Sequence, residues 1–173
     1  MKPDPAPSTA LTAPSAQTPS VWDDVRLQRL WLAAQRREWR SLAVIGAGPG
    51  VPTIEVAELL AQLAWRYRGE PSAVIDLRDL SLRLVDYHVR EVRAQVDAGG
   101  RVLVALRSIF ENPTAAPIAR EVDAVVLCLR LGQTEFKAAD QTVAEVGRDR
   151  ILGSILVSGG ARSTPAPNGA PRP

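Results

Sequence analysis

The chain has 173 residues, a formal net charge of +2 and a single cysteine, Cys128. This length is enough for one ordinary domain, and the near balance of charges gives no indication of a nucleic-acid partner. A single cysteine excludes a disulfide framework within the chain, and no apolar run approaches the roughly 20 residues of a membrane span, so we expect a cytoplasmic protein.

The two ends of the chain differ in composition from its middle. Residues 1–19 are rich in proline, alanine, serine and threonine, and residues 158–173 are rich in proline and glycine. Such segments have little apolar surface to bury, so both are predicted to be disordered tails. The folded domain is therefore predicted to span residues 20–157.

Helices and strands are predicted to alternate along this domain. A first amphipathic helix follows Ser20, and its inner side is formed by Val21, Val25, Leu27, Leu30, Trp31 and Ala34. Strands are predicted at residues 42–45, 73–76, 102–106, 124–131 and 151–157. Further helices are predicted to start near Pro52, with Val56, Leu59, Leu60 and Leu63 inside, and to span residues 86–98, 113–121 and 135–146.

The predicted strands are continuous apolar runs, which is typical of a parallel sheet covered by helices on both faces. The predicted fold class is therefore α/β. We expect a three-layer α/β/α sandwich around a five-stranded parallel sheet, with the amphipathic helix added at the N-terminus.

The sequence VIGAGPG connects the first strand to the next helix, and a glycine-rich turn of this kind usually cradles a phosphate. One template for it is the dinucleotide-binding fingerprint G-x-G-x-x-G, with an acid at the end of the second strand. Gly46, Gly48 and Asp76 fit this template. Val51 replaces the third glycine, which lets helix and strand approach closely, so a dinucleotide site is disfavoured.

The other template is the phosphate loop G-x-x-x-x-G-K-[ST] of P-loop proteins. From Val21 to Val157 the chain resembles the bacterial tyrosine kinases and kinase-like ATPases of polysaccharide export, within the MinD/ParA group. The resemblance rests on GPGVPTIE at residues 48–55, where the family has a sequence like GPGEGKST, and on residues 123–134 and 148–157. It implies a P-loop NTPase-like fold.

Within this resemblance, the residues that bind the phosphates and magnesium are replaced. Pro52 takes the place of a glycine, and its missing N–H removes a phosphate donor. Thr53 replaces the lysine that reaches the outer phosphates, and Ile54 replaces the hydroxyl residue that binds magnesium. The family's C-terminal tyrosine cluster is also absent, since the only tyrosines are Tyr67 and Tyr87.

The family's acidic motifs are altered as well. An Asp-x-Asp motif after the second strand reads Asp76-Leu77-Arg78, and Ala105 replaces the acid of the third strand, followed by Arg107. Phosphoryl transfer depends almost entirely on positioning and electrostatics from such groups. We therefore predict an inactive pseudokinase or pseudo-ATPase without a cofactor or a metal. Gly48, Gly50, Thr53 and Asp76 would be a vestigial loop.

The first helix carries Asp23-x-x-Arg26-x-x-Arg29, where the family has Glu-x-x-Arg-x-x-Arg, a motif that helps its domains assemble into a ring. Residues three apart share a helix face, so these side chains form a mixed-charge stripe. We predict an oligomer interface here, although a solvated face is the open alternative. The implied partners are further copies, a catalytic homologue, or the cytoplasmic tail of a membrane polysaccharide co-polymerase, which would hold the protein at the inner face of the membrane.

A different class of function stays open, namely a nucleotide sensor or an atypical ATPase. A helix N-terminus can hold an anion without lysine, with Gly48 and Gly50 donating N–H groups. Arg78 or Arg107 would then supply the positive charge. The only histidine, His88, has no second metal ligand nearby in the sequence and is interpreted as a surface or packing residue.

Overall fold

A computed structural model describes residues 25–158 of the chain, in which helices and strands alternate. The order is α1 (Val25–Ala34), β1 (Ser41–Gly46), α2 (Thr53–Arg68), β2 (Ser72–Asp76), α3 (Val85–Asp97), β3 (Arg101–Leu106), α4 (Ala115–Glu121), β4 (Ala124–Arg130), α5 (Phe136–Val146) and β5 (Ile151–Val157). Short 3-10 turns at Leu82–Leu84 and Arg148–Arg150 precede α3 and β5. The predicted alternation is confirmed, whereas both predicted tails lie outside the described residues, except for Ser158.

The strands form one five-stranded parallel sheet in the order β2-β3-β1-β4-β5. β1 lies at the centre, where Ile45 pairs with Leu106 of β3 and Leu127 of β4. Because all strands run in the same direction, their carboxyl ends meet at one edge of the sheet, which we call the carboxyl edge. The predicted α/β class with a parallel sheet is confirmed.

The helices cover both faces of the sheet and create a separate core on each. On one face, α1 and α2 pack on the sheet through residues such as Trp31, Leu60 and Leu63. On the other face, α3, α4 and α5 contribute residues such as Val92 and Ile118. Complete burial of one Leu, Ile or Val side chain stabilises the folded state by roughly 1.5–3 kcal/mol, so these two cores supply most of the driving force for folding.

The expectation that helices bury both faces of every strand holds for the central strands β1, β3 and β4 and is wrong for the outer strands β2 and β5. β1 is buried throughout, while β2 has only half-buried and exposed residues because it is an outer strand of the sheet. At the other edge, β5 pairs Ile151 with Val125 and Gly153 with Val126, so Leu152 forms a bulge. Towards its end Leu156 is 66% exposed.

Helix α1 differs from its prediction at its start. Val25 was expected on the inner side, but it is 56% exposed, because the second half of α1 makes the buried contacts, through Trp31 and Ala34. Ser20 and Val21 lie outside the described residues. The indole N–H of Trp39 donates to the carbonyl oxygen of Ala34 at 2.8 Å and satisfies one of the free carbonyl groups at the helix end.

The amino ends of β1 and β4 are joined by a reciprocal clamp between Ser41 and Asp123. One carboxylate oxygen of Asp123 accepts hydrogen bonds from the N–H groups of Arg40 and Ser41, both at 2.8 Å, and from the Ser41 hydroxyl at 3.0 Å. The N–H of Asp123 donates back to Ser41 Oγ at 3.0 Å. Although partial burial opposes ionisation, these donors hold the pKa of Asp123 below its usual range.

Candidate functional site

The glycine loop joins β1 to α2 at the carboxyl edge of the sheet. The N–H of Ala47 donates to the carbonyl oxygen of Cys128 at 2.9 Å, which ties the start of the loop to β4. Ligands of open α/β sheets bind outside the carboxyl ends of the strands, so this is the expected place for a site. The strand order, however, places β3 between β1 and β2, unlike the dinucleotide-binding order. Asp76 therefore ends a strand that does not adjoin β1.

The conformation of the loop requires two of its glycines without reference to any ligand. A Cβ atom at Gly46 would lie 3.2 Å from both the Gly48 carbonyl oxygen and the Val51 side chain. Gly50 has a φ angle of +66°, which side chains disfavour. Gly48 has neither constraint, since a Cβ atom there would meet Thr134 at 3.7 Å, an ordinary contact distance.

The backbone makes a tight turn at Pro52, just before α2. Its φ of −78° and ψ of 69° are those of an inverse γ-turn, in which the Thr53 N–H donates to the Val51 carbonyl oxygen at 2.9 Å. The prediction that Pro52 opens the helix is right to within one residue, since α2 begins at Thr53. The N–H that begins the helix is thus bonded to the loop's own carbonyl group.

Thr53, the first residue of α2, is enclosed by the protein. It is only 1% exposed, and its hydroxyl oxygen is buried with no hydrogen-bond partner among residues 25–158. The side chain therefore brings neither charge nor reach to the loop.

Asp76 and Arg78 neutralise each other. Nε and Nη2 of Arg78 donate to the two carboxylate oxygens of Asp76, each at 2.8 Å, and the Arg78 N–H adds a bond at 3.1 Å. Hydrogen bonding from the Arg78 side chain lowers the pKa of Asp76 below its usual value. In the sheet, Asp76 pairs with Ala105, which is fully buried. The carboxylate is thus engaged by an internal cation.

Arg107 is held by two carboxylates, neither of which was predicted to lie at the site. Its Nη2 lies 2.9 Å from Asp79 Oδ1, and its Nη1 lies 3.5 Å from Glu111 Oε1. The same oxygen of Glu111 accepts a hydrogen bond from the Gly50 N–H at 3.3 Å. A carboxylate of the protein therefore contacts a backbone donor of the glycine loop.

The segment that carries Glu111 is anchored by Asn112. The carboxamide of Asn112 donates to the Leu80 carbonyl oxygen at 2.9 Å and to the Arg78 carbonyl oxygen at 3.2 Å, and it accepts a bond from the Thr114 hydroxyl at 2.7 Å. The carbonyl oxygen of Ser108 accepts the N–H groups of both Glu111 and Asn112 at 2.9 Å. These bonds connect the loop after β3 to the loop after β2.

Arg130 lies at the end of β4, and its side chain reaches the glycine loop. Its Nη1 lies 3.4 Å from the position of a Cβ atom at Gly50. Its backbone N–H is bonded to Thr134 Oγ1 at 2.8 Å, but its guanidinium has no hydrogen bond or ion pair within the described part of the chain, and its Nε is buried. Arg78 and Arg107, the predicted substitute cations, are both paired. Arg130, which was not predicted, has no such partner among the described residues.

The other predicted residues lie away from this loop. Arg26 and Arg29 are exposed and line a groove of about 630 Å³ between α1, α2 and β5, while Asp23 lies outside the described residues. His88 is half-buried on α3, with Nδ1 2.8 Å from Glu91 Oε2. Cys128 is buried in β4, and burial raises its pKa to about 12.

Residues 25–158 contain neither a cluster of metal ligands nor a membrane-spanning helix. No group of three or more His, Cys, Asp or Glu side chains there is arranged to hold a metal ion. None of the helices in the same range has the length and apolar character needed to cross a membrane.

The chain matches no protein-family model and no curated protein sequence, so its likeness to known proteins is one of structure. The kinase domain of Escherichia coli tyrosine kinase ETK superposes with a TM-score of 0.62 at 17% identity, over 83% of this chain and 77% of that domain. The BceF tyrosine kinase domain gives a TM-score of 0.50 at 17% identity, over 77% of this chain and 73% of that one. The chimerical protein CapA2B2 gives a TM-score of 0.56 at 10% identity, over 75% of this chain and 80% of that one. The chain therefore shares the α/β fold of bacterial tyrosine kinase domains.

Proposed function

We propose that this protein is a catalytically inactive member of the polysaccharide-export tyrosine kinase group, and that it works by assembling with other proteins in exopolysaccharide or capsule production. The observation that carries the proposal is the closed state of the glycine loop. Its Thr53 N–H bonds to the Val51 carbonyl oxygen, and Pro52 has no N–H to offer. At Pro52 and Thr53 the loop therefore offers no free N–H donor to a phosphate.

The chemistry of phosphoryl transfer supports the same conclusion. Lysine and magnesium provide most of the electrostatic stabilisation in P-loop enzymes, and losing one such group typically costs roughly 3–4 kcal/mol of transition-state stabilisation. Here a buried threonine replaces the lysine, and Asp76 is bonded to Arg78 rather than open to a metal. A triphosphate would meet neither a free cation from the loop nor the oxygens that hold magnesium.

The groove between α1, α2 and β5 supports the assembly half of the proposal. Arg26 and Arg29 line it together with Glu55, and its apolar lining includes Leu30 and Leu59. Because one groove carries both signs of charge, its charges complement those of a second copy of the same chain. The adjoining edge strand β5 adds the exposed side chain of Leu156. A second copy is therefore the occupant we propose, and a catalytic homologue or a co-polymerase tail would use the same surface.

Isothermal titration with ATP and magnesium tests the inactive site. We expect no binding at micromolar nucleotide concentrations and no ATP hydrolysis above a buffer control. Micromolar affinity for the wild-type protein would overturn this half of the proposal.

Light scattering with charge-reversal variants tests the assembly half. We expect the wild-type protein to be oligomeric and R26E/R29E to dissociate towards monomers. The matched control R83E/R90E changes the net charge equally. Arg83 lies in the 3-10 turn before α3 and Arg90 lies within α3; both are exposed on the opposite face of the sheet. A wild-type monomer, or equal dissociation of both variants, would argue against this interface.

A nucleotide or anion sensor is the second candidate, and it is favoured by the guanidinium of Arg130, which lies beside Gly50 and has no partner among residues 25–158. Thermal shift measurements against a nucleotide panel separate the two functions. A ligand present at 100 times its dissociation constant stabilises the folded state by about 2.7 kcal/mol, which shifts the melting temperature by several degrees.

A further inference from the structure

We infer that the glycine loop contains a latent oxyanion site whose resident ligand is the carboxylate of Glu111. In this arrangement Glu111 takes the position of an external phosphate and keeps the loop closed to it. The inference rests on the proposed function, because it gives a physical reason why the wild-type loop does not take up nucleotide.

The contacts of Glu111 are those of a bound oxyanion. Its Oε1 accepts a hydrogen bond from the Gly50 N–H at 3.3 Å and lies 3.5 Å from Arg107 Nη1. A backbone donor of a glycine loop combined with a guanidinium is the usual chemistry for binding phosphate. In this protein the oxygen that completes the arrangement belongs to a side chain 61 residues further along the chain.

The charges around Gly50 indicate what the site would bind without that carboxylate. Arg130 approaches the same residue and has no anionic partner among the described residues. Arg107 is shared between Glu111 and Asp79. If Glu111 were neutral, Arg107 would keep only the carboxylate of Asp79, and neither Glu111 nor any other described residue would place a negative charge beside Gly50 and Arg130. The ligand class that fits is a small oxyanion such as phosphate.

The anchoring of the segment explains why an internal carboxylate prevails. Asn112, the residue after Glu111, donates its side-chain amide to the carbonyl groups of Arg78 and Leu80, so the backbone that carries Glu111 is anchored beside the loop. An intramolecular ligand competes at an effective concentration in the millimolar range or above. External phosphate at lower concentrations is therefore excluded.

The test is isothermal titration of the full chain with inorganic phosphate. Wild type is expected to bind no phosphate at low millimolar concentrations, whereas E111Q, which removes the charge and keeps the shape, should bind about tenfold to a hundredfold more tightly. E135Q is the matched control, since Glu135 is an exposed glutamate at the same edge with no contact to the loop among the described residues. In E111Q/R130Q the gain should disappear.

Each outcome is decisive. Phosphate binding that appears in E111Q and is lost in E111Q/R130Q supports the inference. A folded E111Q that binds no better than wild type overturns it, as does an equal gain in E135Q. If E111Q does not fold, E111D retracts the carboxylate from Gly50, and an unchanged Gly50 amide chemical shift in E111D would overturn the inference. Binding of ATP by wild type would instead count against the proposed function, so the two failures are distinguishable.

Discussion

The N–H of Thr53 donates to the carbonyl oxygen of Val51 at 2.9 Å across Pro52. This short bond decides the character of the glycine loop, because it directs the first N–H of a sixteen-residue helix back into the chain. Helix N-termini attract anions through N–H groups that have no partner within the helix. At this terminus the leading donor already has a partner.

The proline in this turn is expected to stabilise the folded state. Its φ of −78° is close to the value that the pyrrolidine ring imposes, so Pro52 restricts the unfolded chain without strain in the native one. We expect P52A to lower the free energy of unfolding by about 0.4–1 kcal/mol in urea denaturation. An equal or higher stability of P52A would mean that the γ-turn is strained.

The glycines of the loop should differ in their tolerance of a methyl group. Gly50 has a φ of +66°, and a Cβ atom there would meet Arg130 Nη1 at 3.4 Å, so G50A should lose about 1–2 kcal/mol of stability. G48A is the matched control and should change stability by less than about 0.5 kcal/mol, because its new methyl group would make only ordinary contacts. Equal losses in both variants, measured by thermal or urea unfolding, would contradict the described loop conformation.

The clamp between Asp123 and Ser41 should make stability depend on pH. Because folding lowers the pKa of Asp123, the ionised carboxylate stabilises the protein above its unfolded pKa of about 3.9, and this contribution is lost as the pH falls through the folded pKa. We expect D123N to lose about 1 kcal/mol at pH 7, a low value for hydrogen bonds to a charged group because the carboxylate is partly exposed.

Urea midpoints of wild type and D123N, measured from pH 7 down to pH 2, check this prediction. The two curves should converge below pH 4. D140N serves as the control, since Asp140 is exposed on α5, and it should follow wild type throughout. A gap between wild type and D123N that is constant with pH would show that the charge of Asp123 is not responsible.

Cys128 should be chemically silent in the folded protein. It lies in the central part of the sheet, fully buried, and burial raises its pKa to about 12, so the reactive thiolate is scarce at neutral pH. We expect no labelling by a thiol reagent at pH 8 until denaturant is added, when one equivalent reacts. Rapid labelling of the native protein would mean that the strand opens readily.

The sequence was sufficient for the framework of the fold and for part of the site. Continuous apolar runs identify β1, β3 and β4, because strands covered on both faces need no polar residues. The same rule overstated the burial of β2 and β5, since an apolar run does not reveal which strands end up at the edges of the sheet. The exposure of Val25 was missed for a related reason, because the helical period does not tell where a helix leaves the sheet.

Contacts between loops could not be predicted from the sequence. Gly46 and Gly50 could be recognised as a turn, but the bond from Gly50 to Glu111 joins segments 61 residues apart and depends on how β3 lies beside β1. Arg130 was overlooked because it ends an apolar strand without a recognisable motif. Charge pairing of Arg107 with Asp79 likewise follows from the strand order and not from any local spacing.

The hydrogen bonds around Asp123 lie at the amino ends of the strands, whereas the glycine loop lies at the carboxyl edge of the same sheet. Substitutions that reshape the loop therefore do not touch the clamp between Ser41 and Asp123 at the starts of β1 and β4. A scaffold with this division of labour can drift in its binding chemistry while its architecture stays intact, which makes it a tolerant starting point for engineering a new anion receptor.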